Sequence, residues 1–256
     1  MVAGLPARWS TCSRTIFIED DPSAFAHRKD IIAVGLGCSV ELLDAITGSR
    51  KTVLSDHSKK ISSLAFSQDG TLLVSGGYDK TVKVWDMQTG GVIKTFNDEG
   101  LISAVSISPD CTTIASATDG TIRLWDVRAG KCRPDPLCHD RGVTTINFSP
   151  VNSQRLISSS SDGAVRQWDV DGHQIGVSYQ ESDRVNGLAY TSDGTHFVSR
   201  GRNFVSVRDS ESGAVVVKLE APDKGSIFTP SEKLGERQRA QVIAGDSAIE
   251  IARRRP

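Results

Sequence analysis

Internal repetition at a fixed period dominates this sequence. Ile61 to Gly90 reads ISSLAFSQDGTLLVSGGYDKTVKVWDMQTG, Leu101 to Gly130 reads LISAVSISPDCTTIASATDGTIRLWDVRAG, and Val143 to Gly172 reads VTTINFSPVNSQRLISSSSDGAVRQWDVDG. Each copy has an alternating apolar run, a polar turn, a second short apolar run, another turn, and a third run ending in Trp-Asp. Weaker copies flank them. Val185 to Gly213 carries Arg208 in the Trp place, Ile31 to Gly48 carries Leu43 there, and Ile243 to Arg253 is a degenerate sixth copy. The corresponding aspartates, Asp44, Asp86, Asp126, Asp169 and Asp209, are separated by 42, 40, 43 and 40 residues. A unit of this size cannot bury both of its faces alone, so stacked neighbours must supply a continuous core.

Within a copy, the apolar residues recur at every second position, the mark of half-buried strands. Leu64 and Phe66 alternate with Ser63 and Ala65, and Val82 and Val84 alternate with Thr81 and Lys83. Gln68-Asp69-Gly70, Pro109-Asp110 and Ser192-Asp193-Gly194 stand where tight hairpin turns are needed. A further strand follows the third run at Val92 to Phe96, Ile175 to Tyr179 and Val215 to Leu219. Each copy therefore reads as four antiparallel strands, and no convincing amphipathic helix interrupts them.

Composition narrows the function classes. Lys+Arg total 30 against Asp+Glu at 31, a net charge of -1. A general nucleic-acid binder is expected to carry a basic excess, so that partner is not expected. No run of about 18 apolar residues occurs, and Met1 to Asp21 holds no apolar stretch of signal-peptide length, so neither membrane insertion nor secretion is expected. The five cysteines are odd in number and form no CxxC pair, which indicates neither a disulfide framework nor a zinc site. No metal or cofactor is expected, and the location expected is cytoplasmic, with the nucleus also open. Gly35-Leu36-Gly37 has Val40 where a dinucleotide motif needs its third glycine, and Gly130-Lys131 is followed by Cys132 rather than Ser or Thr. His27, His173 and His196 read as surface or loop residues.

With Trp-Asp at 85–86, 125–126 and 168–169 recurring at this period, the chain resembles the WD40-repeat β-propellers. The resemblance implies an all-β fold, a WD40 β-propeller of about six four-stranded antiparallel blades with the first and last degenerate. The blades are expected at about 15–56, 57–97, 98–138, 139–180, 181–221 and 222–256. Closure of the ring is left open: the sixth copy lacks a fourth strand, which Leu5 to Thr11 would have to supply, and Pro6 removes a ladder donor there. In that family a buried His, Ser/Thr, Asp and Trp form a hydrogen-bonded tetrad in each well-formed blade. The matching residues here are His57, Ser75, Asp79 and Trp85, then His139, Ser158, Asp162 and Trp168. A third set keeps Ser116, Asp119 and Trp125 without a histidine. An indole only donates, a carboxylate only accepts and a hydroxyl does both, so such a chain satisfies each buried group in turn.

His57, Ser75 and Asp79 also have the composition of a hydrolase triad. A set that recurs beside Trp in two copies reads as a building element, because an active site would occur once. No catalytic residue is therefore expected. The resemblance implies instead a non-catalytic protein–protein interaction scaffold or sensor, monomeric on its own, with variable loops held on a rigid frame. The departures from the pattern point to where a partner docks. Arg208 stands in the Trp place and Arg202 where the turn Asp belongs in the fifth copy, and with Arg184 and Arg200 they gather positive charge suited to an acidic or phosphorylated segment. Lys60 and the residues before the turn aspartates, Tyr78, Thr118 and Ser161, are expected on the same narrow face. Two alternatives stand beside this one. Trp125-Asp126-Val127-Arg128 resembles the ending seen in substrate receptors of cullin-type ubiquitin ligases, with Arg128 as the contact, and a decayed array without a specific partner is the other. The phrases TIFIEDDPSAFAHRKDIIAVGL, LLDAITG and LAFSQDGTLLVSGGYDKTVKVWDMQTGGVIKTF resemble the WD40 arrays of fungal NACHT-type, NLR-like NTPase proteins. That resemblance implies non-self recognition or scaffolding in a fungal cell.

Overall fold

The computed structural model describes residues 21–220, together with the backbone of strands at 14–18, 239–244 and 247–253. Every regular element among the described residues is a strand. After β1 (Arg14–Ile18), the first four-stranded sheet is β2 (Pro22–Arg28), β3 (Ile31–Leu36), β4 (Ser39–Asp44) and β5 (Arg50–Ser55). The second is β6 (Ile61–Phe66), β7 (Leu72–Gly77), β8 (Thr81–Asp86) and β9 (Val92–Asn97). The third holds β10 (Ile102–Ile107), β11 (Thr113–Thr118) and β12 (Thr121–Asp126), with its outer strand split into β13 (Lys131–Cys132) and β14 (Leu137–Cys138). The fourth is β15 (Val143–Phe148), β16 (Arg155–Ser160), β17 (Ala164–Asp169) and β18 (Gln174–Gln180). The fifth is β19 (Gly187–Tyr190), β20 (His196–Arg200), β21 (Phe204–Asp209) and β22 (Val215–Glu220). Within all five the pairing is antiparallel, and in the third both β13 and β14 pair with β12.

The sixth copy differs. β23 (Arg239–Ala244) and β24 (Ser247–Arg253) form a hairpin, and β1 pairs parallel with β24, so this sheet has three strands among the described residues. The seam strand expected from Leu5 to Thr11 lies outside the described residues.

The Asp of each Trp-Asp pair shapes the turn that follows it. Asp86 Oδ1 accepts the backbone N–H of Gln88 and Thr89 at 2.8 Å each, and Gly90 N–H closes the turn on Asp86 O at 2.8 Å. The turn needs φ of +72° at Gly90, a conformation glycine adopts without penalty. Asp44 and Asp209 repeat the arrangement. These N–H donors hold the Asp44, Asp86 and Asp209 carboxyls below the ordinary range.

The core lies between sheets. Val40, Leu42 and Leu54 of the first sheet meet Leu64, Leu73 and Trp85 of the second. Val74, Val82, Val84 and Phe96 meet Val105, Ile114 and Trp125 of the third. Ile122 and Leu124 meet Ile146, Leu156 and Trp168 of the fourth. Each Trp thus fills the space toward the preceding sheet. In the fifth sheet Arg208 takes the Trp place, and Phe197 fills the layer against Ile157 and Val165, with Tyr179 and Tyr190 beside it.

Candidate recognition face

The innermost strands are stitched together by one hydroxyl per copy. Ser23 Oγ reaches Gly35 O of its own sheet at 3.0 Å and Ile61 O of the next at 2.6 Å. Ser62 reaches Gly76 O and Ile102 O in the same way, and Ser103 reaches Ala117 O and Val143 O. Thr144 Oγ1 reaches Ser159 O and, at 2.8 Å, Val185 O. Each of these residues sits where the strand register slips, between Pro22 and Ala24, Ile61 and Ser63, Ile102 and Ala104, and Val143 and Thr145. A bulged residue is unpaired and re-aimed, so its side chain leaves the pleat and points across to the neighbour. Asn186 holds the fifth such position, just before β19.

This layer lines a cavity of about 440 Å³. Its rim is built by the loops that precede the inner strands and by the turns between the second and third strands. Lys60 and Arg184 come from the loops, and Tyr78, Asp119 and Ser161 from the turns. Backbone bonds tie the two kinds of segment together: Tyr78 N–H donates to Lys60 O at 2.8 Å and Ser161 N–H to Gly142 O at 2.9 Å. Tyr78 is 42% exposed, a large side chain presented at the cavity's edge.

The other residues named from the sequence fall elsewhere. Thr118 is buried, and its hydroxyl accepts from Arg123 at 3.3 Å, so it faces the strand above rather than a partner. Arg200 and Arg202 are exposed at the end of β20 and in the following turn, outside the cavity lining. Arg200 folds over Gly187, where a Cβ would stand 2.8 Å from its Nε. Arg128 is exposed in the turn after β12, on the opposite edge of its sheet from the turn that holds Asp119.

Behind the face lie the buried polar sets. In the second sheet Trp85 Nε1 donates to Ser75 Oγ at 2.8 Å, Ser75 Oγ stands 2.7 Å from His57 Nε2, and His57 Nδ1 stands 2.8 Å from Asp79 Oδ2. Burial lowers the His57 pKa, against the opposing pull of Asp79, so the ring is neutral with its proton on Nδ1 and Ser75 donating to Nε2. Ser75 is fully buried and engaged on both sides. A hydrolase nucleophile must reach a substrate, so the triad reading of these residues fails on access.

The fourth sheet repeats only part of this. Trp168 Nε1 and His139 Nε2 both meet Ser158 Oγ, at 2.7 and 2.6 Å. His139 Nδ1 has no partner, and Asp162 accepts instead from the backbone of Ala164 at 2.9 Å. Thr81, whose hydroxyl holds Asp79 at 2.8 Å, is replaced here by Ala164, so the anchor that turns the carboxylate toward the ring is missing. With burial as the main cause and Arg166 adding to it, His139 is pushed down to about 4.

In the third sheet Asp119 does not join the set. Trp125 Nε1 donates to Ser116 Oγ at 2.9 Å, and Ser116 donates to Asp98 Oδ2 at 2.9 Å. Asp98 occupies the histidine place, and its charge is met by Arg123. The fifth sheet goes one step further. Glu181 takes the histidine place and accepts from Ser199 at 2.9 Å, while Arg208, in the Trp place, donates to the same oxygen at 3.2 Å. Glu181 is fully buried and the Arg208 guanidinium nearly so, stacked 5.1 Å over Tyr179. Arg208 is thereby structural and adds nothing to the surface charge. The sequence does signal these replacements: His57, Asp98 and Glu181 each lie 18 residues before their serine, and a pattern that admits histidine alone at that place passes over the acids.

Strand cations neutralise most acids of the face as well. Lys83 pairs with Asp56, Arg123 with Glu99 at 2.9 Å, and Arg166 with Asp140 at 3.2 Å. Lys59, Lys60, Lys80, Arg141, Arg184 and Arg202 have no ion pair among the described residues.

Comparison with known proteins identifies the repeats. The model of the WD domain, G-beta repeat, matches residues 48–86, 90–126 and 130–169. The chain is 29% identical over 140 residues, 54% of its length, to Autophagy-related protein 16 of Arabidopsis thaliana, covering 27% of that protein. It is 24% identical over 227 residues, 87% of its length, to Periodic tryptophan protein 2 homolog of Schizosaccharomyces pombe, covering 23% of that protein. It is 36% identical over 85 residues, 32% of its length, to Eukaryotic translation initiation factor 3 subunit I of Aspergillus oryzae, covering 25%. The chain thus spans about a quarter of the length of these relatives. Repeats matched one after another from residue 48 to 169, on sheets whose Trp residues each pack toward the sheet before, show WD40 repeats over that stretch, within an all-β array consistent with a β-propeller.

Proposed function

We propose that this chain is a non-catalytic protein–protein interaction module that docks an acidic segment of a partner on the face carrying Lys60, Tyr78, Ser161, Arg184, Arg200 and Arg202. The observation that carries this reading is the imbalance of charge there. Six loop and turn cations without an ion pair outnumber the carboxylates there that no Lys or Arg meets, Asp79, Asp119, Asp162 and Asp183, since strand cations match the other acids of the face. A face with unmatched charge on a rigid frame attracts a segment of opposite sign and speeds its arrival. The chain's net charge of -1 makes this a local feature, which favours a protein partner over nucleic acid. Relatives named for autophagy, pre-mRNA processing and translation initiation support a place in protein assemblies, in cytoplasm or nucleus. The finer reading, a sensor like the WD40 arrays of fungal NLR-like proteins, rests on the sequence phrases that resemble them.

Arg200 and Arg202 lie outside the cavity and are exposed, so reversing both leaves the fold in place. Quantitative affinity capture from the native cell, with nuclease added, compares wild type with R200E/R202E. A protein held by wild type at low salt, released as salt rises and lost from the variant supports the reading. An unchanged set of captured proteins overturns it.

A further inference from the structure

We infer that the fifth sheet, on its side turned away from the fourth, is a docking surface for an extended, mainly apolar segment of a partner protein, with one carboxylate of that segment meeting Arg200. The inference rests on the reading proposed above for the partner's charge and names where its segment lies. Pairing across the sheet puts Ala189, Val198, Val207 and Val217 in one row, and Gly187, Arg200, Val205 and Leu219 in the next. Successive residues of a strand point to opposite sides, and Phe197 and Phe204 pack against Ile157 and Val165 of the fourth sheet, so the two rows look the other way. In the first four sheets the place of Val198 is held by Ala33, Val74, Ala115 and Ile157, all fully buried under the sheet that follows. In the fifth, Val198, Val205 and Val207 are half-buried, and Val217 and Leu219 are 45% and 55% exposed. β23 of the sixth copy lies against β2 of the first sheet, and no comparable contact joins it to the fifth among the described residues.

Arg200 sets this side apart. In the first four sheets its place is held by Gly35, Gly76, Ala117 and Ser159. Small residues stand there because the next inner strand comes close: a Cβ on Gly35 or Gly76 would press on Ile61 or Ile102. Arg200 is too large for that approach, and its side chain lies along the sheet over Gly187. It is exposed and has no ion pair among the described residues. A guanidinium beside a stripe of valines takes a carboxylate in a planar, paired hydrogen bond. The rest of the stripe takes apolar side chains at every second position, which an extended segment presents along one side.

The test titrates the acetylated peptide Glu-Val-Thr-Val-Thr-Val into the full chain and follows backbone amide shifts by NMR. One control has Gln for Glu, and another has the order Glu-Val-Val-Thr-Thr-Val. The expected result is a saturable response at Val198, Val205, Val207 and Val217, roughly tenfold weaker with either control, as loss of one charge-assisted contact or one buried valine gives. R200Q weakens binding to the level of the Gln peptide, and V217K abolishes it without lowering the thermal midpoint. No saturable response, equal binding of the Gln peptide, or a response centred on Lys60 and Arg184 overturns the proposal. So does a mass that rises with concentration in sedimentation and falls back in V217K, which assigns the surface to a second copy. A midpoint lowered by V217K with the peptide without effect assigns it to residues 239–253 of the same chain, and overturns the proposal too. Capture by R200E/R202E is a separate readout. Peptide binding with capture unchanged removes the acidic-partner reading and keeps the docking surface, and the reverse result does the opposite.

Discussion

At the scale of the residue, Ser75 and Ser158 each anchor two buried rings through one oxygen. Replacing Ser75 by Ala leaves both the Trp85 N–H and the His57 Nε2 without a partner, which costs about 2–3 kcal/mol on general grounds. Urea denaturation of S75A checks this, with the midpoint lowered and the slope unchanged. His139 supplies a pH dependence whose sign is fixed by its shift. Its pKa falls from the unfolded value of 6.5 to about 4 in the fold. Below pH 6.5 the unfolded chain takes up a proton that the folded chain refuses, so stability is full above 6.5 and is lost as pH falls toward 4. Linkage gives about 3 kcal/mol for that interval. Chemical denaturation at pH 7 and pH 4.5 measures the loss. The variant H139Q loses less between those two values than wild type, because His57 titrates in both.

Elements show how one position can be filled by different chemistry. Histidine, aspartate and glutamate all stand behind the inner serine, and each choice brings its own counterpart. Neutral His57 needs no cation, Asp98 is met by Arg123, and Glu181 is met by Arg208 in place of the tryptophan. The fifth sheet is thus a rewired copy, and its charge pair is self-contained. Breaking the pair by R208L leaves the Glu181 carboxylate buried with the Ser199 hydroxyl but no cation, and destabilises by about 3–5 kcal/mol. The double variant E181H/R208W rebuilds the arrangement of the second and fourth sheets. It recovers most of that loss, so a double-mutant cycle by calorimetry shows strong coupling; additive effects would contradict the rewiring.

The legibility of the fold divides at this same scale. Strand count, turn positions and the Trp-Asp turns stand in the local alternation and turn chemistry of each copy, where neighbouring residues decide the outcome. Asp162 shows the limit. It matches the motif in sequence, yet its orientation depends on a hydroxyl two residues on that Ala164 lacks. Thr118 matches Tyr78 and Ser161 by position, but Arg123 draws its hydroxyl inward. The convergence of Lys60, Ser161 and Arg184 on one cavity depends on how the sheets stack, and no local pattern carries that.

Across the whole molecule, stability is a sum of sheets and the layers between them. Gly76 marks a tight layer: a Cβ there would stand 2.7 Å from Val105 Cγ1 and closer still to Ile102. G76A therefore wedges the second sheet from the third and destabilises by about 1–3 kcal/mol, as overpacking does. Hydrogen exchange locates the effect, with protection lost in β7, β8 and β10 and kept in β20 and β21. Uniform loss throughout would mean that the layers do not act as nearest neighbours. The inner hydroxyl stitches carry a further meaning. Each is donated forward, from a residue of one copy to a carbonyl 38 to 41 positions later, and never backward. The second, third and fourth copies therefore each own one outlet and one inlet of the same kind. A duplicated copy would join its neighbours on both sides with bonds it already encodes, so an ancestor of this chain could grow by whole units without inventing a new interface.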